Sequence, residues 1–271
     1  MAQPHFYDTH AHLDFPEFQN ELPEIIQRAK TAGISRIITI GTDLASSRRS
    51  LTIADAYPEV FAVVGWHPNH ASEAPPDIRD ELAALAKHPK VVAIGETGID
   101  RYRLPALTSE HPQDLHEALI QKQTRLFEQQ LEVAAHLGLN CVIHQRSALE
   151  ETLQTLKPWS DRVKGVFHCF VDGAEAAKRV LDLGCFLSFT GILTFKSAQE
   201  VRNSLNTAPN GRYMLETDCP FLAPTPHRGK RCEPAYVALT AEVMAKEKST
   251  DLETLSIQTC ETAHQFFKRL A

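Results

Sequence analysis

The stretch "FYDTHAHLD", from Phe6 to Asp14, places His10 and His12 two residues apart where a short apolar run ends. Side chains at i and i+2 of a strand leave the same face. Both imidazoles can therefore converge on one point, with Asp8 on that face too. Neutral imidazole is the commonest protein ligand for metals. His-x-His alone is a weak motif, because two solvated histidines at a strand end would read the same way. The rest of the chain has to supply partners.

It does so at the ends of other apolar runs. "GETGID" offers Glu96 and Asp100, "VIH" offers His144, "VFH" offers His168, and "ETD" offers Glu216 and Asp218. Burying so many polar groups costs several kcal/mol unless they are paired or bind metal. His10, His12, Glu96, His144, His168 and Asp218 make an N/O donor set without thiolate, which suits Zn, Mn, Mg, Co or Fe. Three protein ligands suffice for one tetrahedral ion that keeps an open position. The larger set points to two divalent metal ions per subunit, with Glu96 as a carboxylate bridging ions ~3.5–4 Å apart. Alternation puts Glu216 off the face of Thr217 but not off that of Asp218, so its place is ambiguous, and it is set behind the ligands. Alternation turns Cys169 and Cys219 away from the adjacent ligands, into the core.

These residues need a scaffold that brings strand ends together. The strand candidates are His5–His10, Arg36–Ile40, Val60–Trp66, Val91–Gly95, Asn140–His144, Lys164–His168, Cys185–Phe189 and Tyr213–Thr217. Their near-continuous apolarity is that of buried parallel strands. Between them lie helical segments. Glu117–His136 has apolar residues at helical spacing and Gly138 to close it. "PEIIQRAKTAG", "SAQEVRNSLN" and "GAEAAKRVLDL" behave alike, the last with Asp172 as its cap. Strand and helix alternating eight times predict an α/β fold, a (β/α)8 TIM barrel as one domain over residues 1–271, with Leu252–Leu270 as a terminal helix packed on it. A doubly wound open sheet is the alternative, but no G-x-G-x-x-G or G-x-x-x-x-G-K-[ST] loop supports it. In barrels the active site lies at the C-terminal strand ends, where the His, Glu and Asp residues fall.

The chain has 271 residues and a net charge of −6. That balance argues against a broad grip on duplex DNA, which rests on Lys and Arg neutralising phosphates. No apolar run approaches the ~20 residues of a membrane span, and no basic-then-apolar leader opens the chain. The six cysteines form no C-x-x-C pair and read as reduced core thiols, so a cytoplasmic protein is expected.

The stretches "DTHAHLDF", "VVGWHPNHA", "AIGETGIDRYR", "VIHQRSA", "GVFHCFVDG", "LSFTGILTFK", "LETDCPFLAPTP" and "RGKRCEP" resemble the TatD-type metal-dependent deoxyribonucleases, within the amidohydrolase-like barrels. The resemblance runs from Asp8 to Pro234. It implies one metal held by His10, His12, Glu96 and Asp218, a second by Glu96, His144 and His168, and Asp218 as general base on the attacking water. It also implies a 3′-5′ exonuclease on single-stranded or frayed DNA, with RNA as an alternative substrate and no obligate protein partner. The chain departs from the family at Cys232, Arg101, Gln145 and Thr262, and Leu104–His116 is longer than usual.

For a phosphodiester, surrounding cations would neutralise the transition state. The candidates are Arg146, His67, Arg228 and Lys230, the latter two in the dense basic cluster "RGKR". Asp100 and Tyr102 are expected to line the cleft, and Trp66, Tyr102 and Phe170 are candidates for stacking a base. Relatives of this kind also include deacylases that remove D-amino acids from tRNA, and wider relatives cleave lactones and amides. Hydrolysis of such an ester or amide is the second expectation. A non-catalytic scaffold is the third, disfavoured by the intact ligand set.

Overall fold

A computed structural model describes residues 4–104 and 113–270. Eight parallel strands form one sheet in sequence order: β1 Phe6–Ala11, β2 Ile34–Ile40, β3 Val60–Val64, β4 Val91–Asp100, β5 Cys141–Arg146, β6 Gly165–Phe167, β7 Phe186–Phe189 and β8 Tyr213–Leu215. Most of their residues are apolar and buried on both faces, so the helices must cover the outside. Between and after them run α1 Leu22–Thr31, α2 Leu44–Ala56, α3 Arg79–Ala86, α4 Gln113–Leu137, α5 Leu149–Leu156, α6 Ala174–Asp182, α7 Gln199–Thr207, α8 Val237–Glu247 and α9 Leu252–Phe266. The circle closes where the end of β1 meets the turn after β8, through backbone bonds from Asp218 N–H to His10 O at 2.9 Å and from His12 N–H to Cys219 O at 2.9 Å. The architecture is the expected (β/α)8 barrel. No helix among the described residues is long and apolar enough to cross a membrane.

The barrel's two ends differ. Phe266 and Phe267, at the end of α9, share one buried cluster with Tyr7, Ile38, Phe61 and Phe186 from the early parts of the strands. Asn140 donates to Phe266 O at 2.7 Å, and Tyr7 Oη lies 2.9 Å from His264 Nε2. With α9 plugging the N-terminal end, only the C-terminal end remains open for a site.

Several boundaries differ from the sequence expectation. β4 continues to Asp100 rather than stopping at Gly95, so Glu96 lies within a strand and not beyond one. Gly98, at φ +136°, allows this: a Cβ there would lie 2.0 Å from His144 O, so only glycine lets β4 approach β5 so closely. β6 and β8 are shorter than expected, which leaves His168 and Asp218 on the turns that follow them. Asp172 does not cap α6. Gly173 takes that position, and the Asp172 carboxylate accepts from Gln145 Nε2 at 2.6 Å. Most of Leu104–His116 lies outside the described residues.

Candidate metal centre

β1 carries an extra residue between Asp8 and Ala11 relative to β2, which breaks the simple alternation. Asp8 therefore stays out of the candidate donor sets, although its Oδ1 accepts from the His10 N–H at 3.3 Å. Its buried carboxylate accepts from the Thr217 N–H at 2.9 Å and the Thr217 hydroxyl at 2.6 Å, tying β1 to the turn that carries Asp218. Burial pushes the Asp8 carboxyl up to about 8, against the pull of those hydrogen bonds.

Glu96 is the hub of the site and is almost fully buried. Its Oε2 lies 3.4 Å from His10 Nε2 and 3.8 Å from His12 Nε2. Its Oε1 lies 2.8 Å from His144 Nδ1, 2.8 Å from His168 Nε2 and 3.2 Å from His67 Nε2. The two oxygens thus face two groups of imidazoles. Asp218 joins the first group, with Oδ1 3.5 Å from His10 Nε2 and 3.4 Å from His12 Nε2. Asp218 is held at φ +57°, a conformation non-glycine residues seldom adopt, and such residues cluster at functional sites.

The second nitrogen of each ring shows which way its lone pair points. His12 Nδ1 lies 3.2 Å from Ile40 O, and His144 Nε2 lies 3.0 Å from Asp100 Oδ2. A carbonyl or carboxylate can only accept. In a neutral ring those nitrogens carry the protons, and His12 Nε2 and His144 Nδ1, the latter 2.8 Å from Glu96 Oε1, are the nitrogens turned toward the central carboxylates. His168 differs: its Nδ1 lies 3.5 Å from Glu216 Oε1 and finds no hydrogen-bond partner among the described residues, while its Nε2 faces Glu96 Oε1. Neither nitrogen of His10 finds a hydrogen-bond partner among the described residues. Imidazole lone pairs and carboxylates converging on one point, with acceptors fixing the outer nitrogens, is the usual setting of a cation. Three sets of donors could each hold an ion: His10, His12 and Asp218; His10, Glu96 and His168; His67, Glu96 and His144.

The electrostatics agree. Burial works against ionised Glu96, yet His168, His67 and His10 hold it well below the carboxylate range. Burial also opposes ionised Asp218, but the nearby imidazoles of His12 and His10 bring it down. Burial lowers His168 while Glu96 and Glu216 outweigh it, so its net shift is upward. The carboxylates create a field that favours positive charge here, whether carried by imidazolium protons or by a divalent cation. Asp100 and Glu216 lie behind the imidazoles rather than among the candidate donor sets. Glu216 also accepts from the Cys169 N–H at 2.7 Å and from the Ser188 hydroxyl.

His67 is the exception. Its Nδ1 accepts from the Asn69 N–H at 3.0 Å, so the neutral ring carries its proton on Nε2, aimed at Glu96. Burial, only partly offset by Glu96, takes His67 down to about 4. It is a neutral hydrogen-bond donor within the site, closer in than the sequence placed it.

The cavity over these groups has a volume of about 690 Å³, in the range of small-ligand sites. His67, Asp100 and Arg146 line it. Arg228 and Lys230 do not: both are exposed, and the Arg228 guanidinium sits 4.4 Å over the Phe195 ring. Their neighbour Arg231 is engaged by Glu21 at 2.6 Å, so "RGKR" partly serves to fix a loop. Tyr102 is not in the lining, but its ring lies 3.7 Å beneath the Arg146 guanidinium. Trp66 and Phe170 are core residues, with Trp66 Nε1 donating to His70 O at 2.9 Å, so neither can stack a base. Cys219 is buried as expected, but Cys169 lines the cavity. β6 ends before it, and at φ +46° it no longer follows strand alternation. Arg103, Phe15 and Phe221 also line the cavity and were missed. The position of Phe221 in "ETDCPF", just after Asp218, could have revealed it.

Residues 7–268 match the family model described as TatD related DNase. A Bacillus subtilis protein described as the uncharacterized metal-dependent hydrolase YabD is 36% identical over 97% of this chain and 98% of its own length. The 3′-5′ ssDNA/RNA exonuclease TatD of Salmonella typhimurium is 31% identical over 97% of this chain and 98% of its own. The crystal structure of YJJV, a TatD homolog from Escherichia coli K12, superimposes with a TM-score of 0.84 at 27% identity, covering 97% of this chain and 98% of that one.

Proposed function

From the premise that this chain belongs to the TatD related DNase family and is a metal-dependent hydrolase acting on ester bonds, we propose that it cleaves phosphodiesters, releasing nucleotides from the 3′ end of single-stranded or frayed DNA, with RNA as an alternative substrate. The observation that carries this reading is the division of Glu96 between two imidazole groups. His10, His12, Glu96 and Asp218 would hold one divalent ion, and Glu96, His144 and His168 the other. Divalent cations held there would supply Lewis acidity, lowering the pKa of water and withdrawing charge from phosphate oxygens.

The chain's own groups do the rest. Asp218, ionised through the neutral range, accepts the proton of the attacking water. His67 keeps its proton on Nε2 and donates a hydrogen bond to a phosphate oxygen as charge builds there. Arg146 lines the cavity, stacks on Tyr102 and has no carboxylate partner among the described residues, so its guanidinium is free for a phosphate. Asp100 and Glu216 orient His144 and His168. Asp100→Asn is expected to weaken divalent-metal affinity about 10- to 100-fold. Competition with a chromophoric chelator measures this, and unchanged affinity would remove Asp100 from that role.

The reading is tested by following mononucleotide release from an end-labelled single-stranded oligonucleotide with Mg, Mn, Co or Zn added. Wild type should show metal-dependent release, and His10→Ala should reduce it at least ~100-fold. If protein carrying two ions cleaves nothing with any of these metals, hydrolysis of a carboxylic ester or amide replaces this reading.

A further inference from the structure

Among the described residues, the exposed large apolar side chains are Tyr102, Val171, Phe221 and Ile257. Val171 and Phe221 line the cavity over the metal centre, and Tyr102 supports Arg146, which lines it too. Only Ile257, on α9 at the plugged end of the barrel, stands apart. Apolar groups left in water forgo burial free energy, and a cluster of them around one cleft marks a binding surface.

Phe221 is the most informative of these. It is 49% exposed, although it follows closely on Asp218. Its N–H donates to Asp218 O at 3.0 Å, so one tight turn fixes both the carboxylate and the ring. Phe15 meets Phe221 edge to face, with centroids 6.0 Å apart at 81°. One face of Phe15 is already covered by His12, at 4.7 Å and 23°. Phe15 is thus a brace, and much of the Phe221 ring remains open. Arg103, Arg146 and the donor His67 also line the cavity. Metal donors, cationic groups and an aromatic surface share one cleft. A nucleotide has the matching division, with an anionic phosphate joined to a flat base.

We infer that Phe221, braced by Phe15, is the platform on which the unpaired base of the terminal nucleotide stacks. This deepens the phosphodiesterase reading and rests on it. An aromatic face accepts any base without reading its edges. A base still stacked in a duplex has its faces covered and cannot use the platform. The cleft would therefore select ends whose last base is free, whatever its identity.

The test uses metal-loaded full-length protein and two single-stranded oligonucleotides. One ends in an ordinary nucleotide, the other in a tetrahydrofuran residue that keeps the phosphodiester but lacks the base. Wild type should cleave the ordinary end about 5- to 150-fold more efficiently in kcat/KM, the range expected for stacking one base. Phe221→Ala should lose most of that preference by slowing on the ordinary end, with little further loss on the abasic end. Phe221→Trp should restore the preference, which a merely structural role would not predict. Equal cleavage of both ends by wild type overturns the platform while leaving the phosphodiesterase reading intact. So does a Phe221→Ala variant that loses the same factor on both. Absence of cleavage at either end by wild type overturns the phosphodiesterase reading and this inference with it.

Discussion

Replacing Glu96 with Gln is expected to lower hydrolysis by about 10⁴-fold or more, because the several kcal/mol of charge stabilisation supplied by bound metal would be lost. Gln is nearly isosteric, so the change is chiefly electrostatic. Glu96 is buried with His10, His12, His67, His144 and His168 all within 3.8 Å of its oxygens. No other carboxylate among the described residues reaches both imidazole groups. An amide offers one neutral acceptor oxygen, and its NH₂ would face a second imidazole group from which lone pairs are directed inward. Bound divalent metal per chain, measured after equilibration and gel filtration, should drop by about one equivalent or more. A Glu96→Gln protein that retains its full metal content and turns over at a wild-type rate would rule out the bridging role.

Asp218→Asn is expected to behave differently. It should keep most of its bound metal and lose about 10²- to 10⁴-fold in kcat, the usual contribution of a positioned base. The asparagine carbonyl can still approach a cation near His10 and His12, but an amide cannot take a proton. In the parent chain the carboxylate is kept ionised by the nearby imidazoles of His12 and His10, despite its burial. Protonation of Asp218 therefore does not limit the rate near neutrality, and the variant isolates the loss of basicity. Metal content and single-turnover rate should be measured on the same preparation. Full metal with near-normal rate would exclude Asp218 as the base. Loss of metal together with rate would make it a ligand first.

Much of this was legible because barrel strands are buried on both faces. The apolar runs ending at His10, His144 and His168 have few other readings, and the glycines after the helices mark their ends. The same burial made the polar residues at those ends conspicuous. Legibility failed where contacts span the chain. Arg231 belongs with Glu21, some two hundred residues away, and nothing local separates it from Arg228 or Lys230. Trp66 and Phe221 are both aromatic residues near strand ends, but one is sealed by its bond to His70 O and the other stands open.

By itself, then, the sequence determined the eightfold alternation, the end of the barrel that carries the chemistry and the residue types gathered there. These follow from periodicity and from the cost of burying polar groups. Tertiary structure alone decided the finer matters. The bulge in β1 sends the Asp8 side chain to Thr217 instead of the candidate metal centre. The close approach of β4 to β5 at Gly98 carries Glu96 and Asp100 to opposite nitrogens of His144. The Asn69 N–H bonded to Nδ1 directs the Nε2 of His67 toward Glu96. In each case the outcome depends on which hydrogen-bond partner lies within about 3 Å, and spacing along the chain does not encode that distance.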